Sequence, residues 1–338
     1  MGVCVRGASM AVARLVVLVG GLGLLAALVA SVGLDAITGA FTTLSWRLLI
    51  VLVVPFVFGN ILDTLGWRFA FTRDLVSFPT LWRARLAGEA VNTTTPTASV
   101  GGEAVKAWLL RPHVSYDEGL ASVVVAKTTI TVAQGLFLVL GLLLATGMPA
   151  DGRVLTGMRW LLVVEILAVV GFVAVQVSGV VGGALRAVGQ RLGLPSVVAR
   201  SADVGRVEHV LRRFYTGRPG RLTLSVTAHL LGWVISATEI WLVLHFLGAD
   251  VSLSSALVLE AFATGIRFVT FFVPAGVGTT EGGLVLVFVA FGLGAPLGLS
   301  FALVRRLREV CWTAAGLLML MALGAGSRRR LAALNDVA

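Results

Sequence analysis

Acids and bases sit inside the apolar stretches of this chain, at spacings that place them on shared helix faces. Glu260, Thr264 and Arg267 follow one another at i, i+4 and i+7, and so do Lys127, Thr131 and Gln134. His229, Gly232, Ser236 and Glu239 fall within roughly 80° of helical arc. Arg305 and Glu309 form an i, i+4 pair, with Trp312 and Gly316 continuing that face. A charge at the middle of a bilayer costs ~2.5–3.5 kcal/mol, so these groups are expected to pair around one polar interior. Carboxylates there could serve as general bases. The sequence has no His-Glu-x-x-His, Gly-x-Ser-x-Gly or Cys-x-x-Cys arrangement to carry an enzymatic mechanism, and no nucleotide-binding loop. The expected chemistry is therefore non-enzymatic: carboxylates and arginines that screen a charged head group from surrounding lipid. Each pair also has a plainer reading, an ion pair that only locks two helices. Glu239 could instead lie near the outer membrane interface. His229 and His245, near the ends of their span, read as interfacial residues rather than ligands.

Two stretches break the apolar pattern. Phe271 to Gly283 holds Pro274, Gly276, Gly278 and Glu281; Asn92 to Glu103 holds Pro96, Gly101 and Gly102. Proline and glutamate are seven residues apart in both, Pro96 to Glu103 and Pro274 to Glu281. Such a break ends one half-helix and starts another, which a bilayer tolerates only where backbone packs in protein or lines a watery cavity. Glu103 and Glu281 then sit at the start of the second half-helix, where a carboxylate can cap free N–H groups or, with the helix N-terminus, meet a head group.

The elements that must position these residues are membrane helices. Of 338 residues 57% are hydrophobic and only 13% charged, against about 25% charged in soluble domains. Mean hydropathy is +0.96. The net charge of +10 is almost all arginine, lysine occurring only at Lys106 and Lys127. In an apolar chain that excess marks cytoplasmic loops facing anionic lipid head groups rather than nucleic acid. Cys4 and Cys311 imply neither a disulfide framework nor a metal centre, and no cofactor is expected.

Hydropathy and arginine placement give a topology. Full spans are expected at 11–33, 44–62, 119–146, 160–181, 222–247 and 295–326, the first starting from the cytoplasm. Segment 78–111 is too polar for a free span and has positive charge at both ends, so it reads as a re-entrant hairpin from the cytoplasm. Segment 253–293 reads as a second hairpin, from outside. Residues 182–221 carry eight arginines, with Val207, Val210, Leu211 and Phe214 at helical spacing, predicting an amphipathic cytoplasmic helix. The fold expected is an all-α integral membrane protein, a single domain over 1–338, with about six full spans and two re-entrant hairpins. Repeat 1 covers about 11–147 and repeat 2 about 160–326, in inverted orientation. In transporters, interrupted segments at matching places in two inverted repeats point to the substrate site.

The broken segments also carry a resemblance. Gly101-Gly102-Glu103-Ala104-Val105-Lys106, continuing to Leu109-Leu110-Arg111, resembles the motif Gly-Gly-acidic-x-x-basic-x-x-Leu-Leu. Pro274 to Gly282 resembles Pro-x-Gly-x-Gly-x-x-Glu-Gly. Both belong to the lysylphosphatidylglycerol synthase transmembrane, flippase-like, region of bacteria and archaea. His229-Leu-Leu-Gly-Trp233, His245-Phe-Leu-Gly248 and Ala126-Lys-Thr-Thr129 are most similar to its hopanoid-biosynthesis-associated HpnL type. The resemblance covers essentially the whole chain. It implies an inner-membrane protein that moves a hopanoid, a polyisoprenoid or another lipid-linked substrate, and arginine placement puts both termini in the cytoplasm. Partner lipid-biosynthesis proteins are implied as well. The aminoacyl-transferase domain of the founding members has no counterpart in this sequence, so lysine transfer is not implied. The expected translocation residues are Glu103, Lys106, Lys127, Glu239, Glu260, Arg267, Glu281, Arg305 and Glu309, with the site where the hairpin tips approach each other. The alternatives are a scaffold docked through 182–221 and an intramembrane lipid-modifying enzyme.

Overall fold

The computed structural model describes residues 34–95, 101–148, 151–270, 273 and 276–335, and these form an all-helical protein without strands. The expected first span, 11–33, lies outside the described residues, as do Pro96 and Pro274. Twelve helices run in order among the described residues: α1 Leu34–Leu44, α2 Arg47–Phe69, α3 Phe78–Thr94, α4 Gly101–Leu109, α5 Tyr116–Ala145, α6 Gly152–Ser178, α7 Val180–Arg191, α8 Pro195–Gly217, α9 Pro219–Phe246, α10 Leu253–Val269, α11 Thr279–Ala290 and α12 Ala295–Asn335. Five of them are long and apolar enough to cross a membrane: α2, α5, α6, α9 and the 295–324 part of α12. The chain is thus an all-α, multi-pass integral membrane protein.

The start of the fourth span differs from expectation. Helix α6 begins at Gly152 rather than near 160, taking in Arg153 and Arg159. The Asp151 side chain caps it by accepting from the Arg153 N–H at 2.7 Å. An arginine near a helix end can extend its charged head toward water, so hydropathy alone sets the boundary too late.

Both broken segments fold as helical hairpins. Arms α3 and α4 are antiparallel: Lys106 meets Glu89, and Asn92 meets Glu103. Arms α10 and α11 pair Ile266 with Gly283 and Phe262 with Phe291. At 1.5 Å per residue none of the four arms reaches the ~30 Å of a hydrocarbon core. The arms of the first hairpin pack closely because residue 102 is glycine, where a Cβ would strike the Gly88 carbonyl and the Asn92 side chain. In the second, Gly276 and Gly278 have φ of 58° and 77°, a left-handed conformation that favours glycine and turns the chain into α11.

Each hairpin packs crosswise. Arm α3 lies on α12, with Gly316 against Leu86 and Ala90, while α10 lies on α5, with Gly141 against Ala261. The antiparallel pair α2 and α9 forms the centre, meeting at Gly59 and Gly232. Along α2 the environment changes from an apolar core around Phe137, Ile240, Phe262 and Phe288, through a polar middle, to a second core around Trp67, Leu81, Leu110 and Phe214. The arginine-rich segment is not one amphipathic helix but an antiparallel pair, α7 and α8, closed by Gly182 against Gly205 and Gly189 against Val198. Leu211 and Phe214 are buried as their helical spacing predicted.

Candidate functional site

The polar middle is a cavity of about 270 Å³ walled by α2, α3, α9, α10 and α12. Four acids and four arginines line it: Asp63, Glu89, Glu260 and Glu309 against Arg85, Arg267, Arg305 and Arg308. The charges balance, which lets so many ionised groups share a buried space.

On the α10–α12 side, Arg305 is 1% exposed and lies between two carboxylates. Its Nη2 donates to Glu239 at 2.8 Å and to Glu260 at 2.7 Å, and its Nε donates to Glu239 at 3.0 Å. Glu239 also meets Arg308 Nη1 at 2.6 Å. Glu260 accepts from Arg267 at 3.0 Å and from the Ser236 hydroxyl at 3.2 Å. The ring of Phe301 lies under the Arg305 guanidinium at 4.7 Å. Glu239 is therefore buried at the core of the network. Arg305 does not pair with Glu309 as the i, i+4 spacing suggested. It faces inward, and Glu309 instead accepts from Arg306 at 2.9 Å.

On the α2–α3 side, Arg85 donates to Asp63 at 2.8 Å, and the other oxygen of Asp63 bonds His229 Nδ1 at 2.9 Å. His229 is 1% exposed, so it is buried between helices. The Asp63 partner and the room left by Gly66 bring it inside; a Cβ at Gly66 would collide with the imidazole. Lys106 is buried in a smaller, adjoining pocket, where its Nζ donates to Glu89 at 2.6 Å and to both oxygens of Glu103 at 3.0 Å. Lys127 lines the same pocket.

The two hairpin glutamates diverge. Glu281 Oε2 accepts the Gly278 N–H at 2.8 Å, capping α11, while Oε1 accepts from Arg306 Nε at 2.7 Å. At the start of α4 Asn92 accepts the Gly102 N–H at 2.8 Å, because the pairing of α3 with α4 brings its amide to the helix start, and Glu103 accepts from Asn92 and Lys106. Neither Glu103 nor Glu281 lines the main cavity. Of the residues expected from sequence, Glu260, Arg267, Arg305 and Glu309 line it. Glu239 supports it from behind, Glu103, Lys106 and Lys127 belong to the adjoining pocket, and Glu281 stands apart. The charged space thus lies between the first arms, α3 and α10.

Asp63, Arg85, Glu89 and Arg308 also line the cavity and were not singled out from sequence. Helical spacing carried the signal for three of them: Arg85 and Glu89 are i, i+4, and Arg308 follows Arg305 by three. Asp63 and Arg85 lie where charge ends an apolar run, a pattern that by itself marks a cytoplasmic boundary rather than a site.

Three guanidinium nitrogens around the cavity, Arg85 Nε, Arg305 Nη1 and Arg308 Nε, are buried without a hydrogen-bond acceptor among the described residues. Guanidinium donors suit the planar, multiple acceptors of carboxylates and phosphates. An apolar groove of about 430 Å³, lined by Val54, Phe58, Ile235, Trp241 and Leu242, meets the cavity at their shared wall residue Pro55. A polar chamber beside an apolar groove can hold a molecule with a charged head and a hydrocarbon tail. No group of histidine, cysteine or acidic side chains fit to hold a metal occurs among the described residues.

The chain is 25% identical over 281 residues to a UPF0104 membrane protein of Methanothermobacter thermautotrophicus, covering 77% of this chain and 80% of that one. It is 21% identical over 296 residues to the UPF0104 membrane protein MJ1595 of Methanocaldococcus jannaschii, covering 83% and 86%. No solved structure matches it. The family profile described as Lysylphosphatidylglycerol synthase TM region matches residues 11–317, so the chain belongs to that family of membrane proteins.

Proposed function

We propose that this protein moves lipids with charged head groups across the bilayer, as a flippase or transporter of the bacterial inner membrane. The observation that carries the reading is the cavity itself, lined by four arginines and four carboxylates, with an apolar groove at Pro55. A phosphate-bearing head group would pair with the arginines that line the cavity while its tail lies in the groove. Balanced charge also suits a head group that carries both signs. The crosswise packing of α3 on α12 and α10 on α5 supports two inverted units, with the hairpins as gates on opposite sides. The arginine-rich pair α7 and α8 would then face the cytoplasm with both termini, against anionic lipids and partner lipid-biosynthesis proteins. A hopanoid or polyisoprenoid lipid is the cargo that the sequence resemblance favours.

The test is lipid movement in liposomes containing the purified full chain and a head-group-labelled phospholipid or polyprenyl phosphate, read by quenching of the outer leaflet. The expected result is movement faster than in protein-free vesicles, lost on Arg308→Gln with normal folding. Movement equal to that of protein-free vesicles, for every labelled lipid, overturns the reading.

A further inference from the structure

Helix α6 lies at the edge of the bundle, and only Met158, Glu165 and Gln176 of its 27 residues are buried. These three lie within about 20° of one another around the helix and mark the middle of its protein-facing side, with Val154, Leu155, Leu161 and Leu162 packed partly buried beside them. Met158 reaches Gly265 on α10, and Gln176 donates to Thr128 on α5 at 3.1 Å. Glu165 faces Gly135 on α5, thirteen residues from each end of its helix. It is 1% exposed, and both of its carboxyl oxygens lack a hydrogen-bond partner among the described residues.

The charged groups on the neighbouring helices do not meet it. On α5 these are Asp117, Glu118 and Lys127, and on α10 they are Glu260 and Arg267. On α7 and α8 they are the arginines with Asp203, Glu208 and His209. None forms an ion pair or hydrogen bond with Glu165. Every carboxylate around the cavity has a cation beside it, and Glu165 has none. An uncompensated carboxylate in the middle of a spanning helix would cost several kcal/mol. A carboxylic acid carries no such charge.

We propose that Glu165 is a proton-binding site that stays protonated at neutral pH while α6 is seated on α5. Losing the proton places a negative charge in that contact, in the middle of the side on which Met158, Gln176 and the partly buried Leu155, Leu161 and Leu162 hold α6 to the bundle. If the lipid-transport reading holds, proton uptake and release at Glu165 couples lipid movement to a proton gradient.

Infrared difference spectroscopy of the full chain in liposomes, wild type minus Glu165→Gln at pH 7, tests the site without any transport. The expected difference is loss of a carboxylic-acid C=O band that shifts in heavy water. Loss of carboxylate bands instead overturns the proposal. Should the glutamine variant fold poorly, Glu165→Asp serves, moving the acid band rather than removing it. A second arm imposes a proton gradient on the lipid assay. Wild-type movement is expected to change at least twofold with the gradient's direction, and that of Glu165→Gln not to change. An acid band with no gradient effect on active protein overturns the coupling. Absence of any lipid movement fails the transport reading and leaves the proton site to the infrared result.

Discussion

Arg305 and Glu260 are 45 residues apart in sequence and joined at 2.7 Å inside the protein. The same guanidinium holds Glu239, so one arginine of α12 fixes α9 and α10 together. Replacing it with methionine leaves Glu260 only the half-buried Arg267 and Ser236, and Glu239 only Arg308. Breaking a buried pair by removing one partner costs about 3–5 kcal/mol. Arg305→Met should unfold at correspondingly lower denaturant in detergent. Arg305→Lys should recover part of the loss, since one ammonium cannot span both acids as the fork does.

Arg85 and Arg308 line the cavity and should contribute to ligand affinity as well as to the ion pairs they make with Asp63 and Glu239. A hydrogen bond to a charged group contributes about 1.5–3 kcal/mol, or roughly tenfold or more in a binding constant. Arg308→Gln is expected to weaken binding of a phosphate-bearing lipid by at least tenfold in a native mass-spectrometry titration. Unchanged affinity would remove the cavity from the ligand's path.

The hairpin contact at Gly102 has no space for a methyl group. Gly102→Ala should push α4 from α3, separating Lys106 from Glu89, at a cost of about 1–3 kcal/mol for overpacking. Limited proteolysis and thermal unfolding in detergent both read it. By contrast Gly147, with nothing near it, should tolerate alanine.

Between α2 and α3, Asp74 accepts from Arg221 and Arg68, both at 2.7–2.8 Å. The hydrogen bond from Arg221 is the main reason its carboxyl is held below the ordinary 3.8. Because the folded value lies below the unfolded one, the contribution is fully present above about pH 4 and is lost as pH falls below it. The stability difference between wild type and Asp74→Asn should be constant from pH 5 to 7 and shrink below pH 4. A difference that grows on acidification would contradict the sign.

Glu281 joins two contacts, the Gly278 N–H and Arg306. Glu281→Ala should cost about 0.5–2 kcal/mol through the lost cap alone. Glu281→Gln keeps a cap acceptor and should lose less. Thermal unfolding of the two variants side by side distinguishes capping from ion pairing as its main contribution.

Much was legible in the chain because bilayer physics writes itself into composition. Runs of ~20 apolar residues placed the spans at α5, α9 and α12 within a few residues, while α2 runs seven residues past its expected end at 62. Pro96 and Pro274 with their glycines marked both hairpins, since such residues cannot continue a helix. Helical spacing also grouped Glu260 with Arg267, and Ser236 with Glu239, on the faces that meet the polar interior. Local spacing failed for partners. Arg305 and Glu309 are neighbours on a helix, yet a helix presents several faces, and only packing decides which one another helix covers. Arg305 was turned to α9 and α10, and Arg306 took Glu309. His229, near a span end, bonds Asp63 of α2, a partner that no local spacing shows. Glu165, alone among apolar residues, had no spaced partner to mark it. The sequence by itself thus determined where the chain crosses, where it breaks and how many charges must be sheltered. The tertiary structure decided which charges meet, because ion pairing in a bundle depends on contacts between helices far apart in the chain.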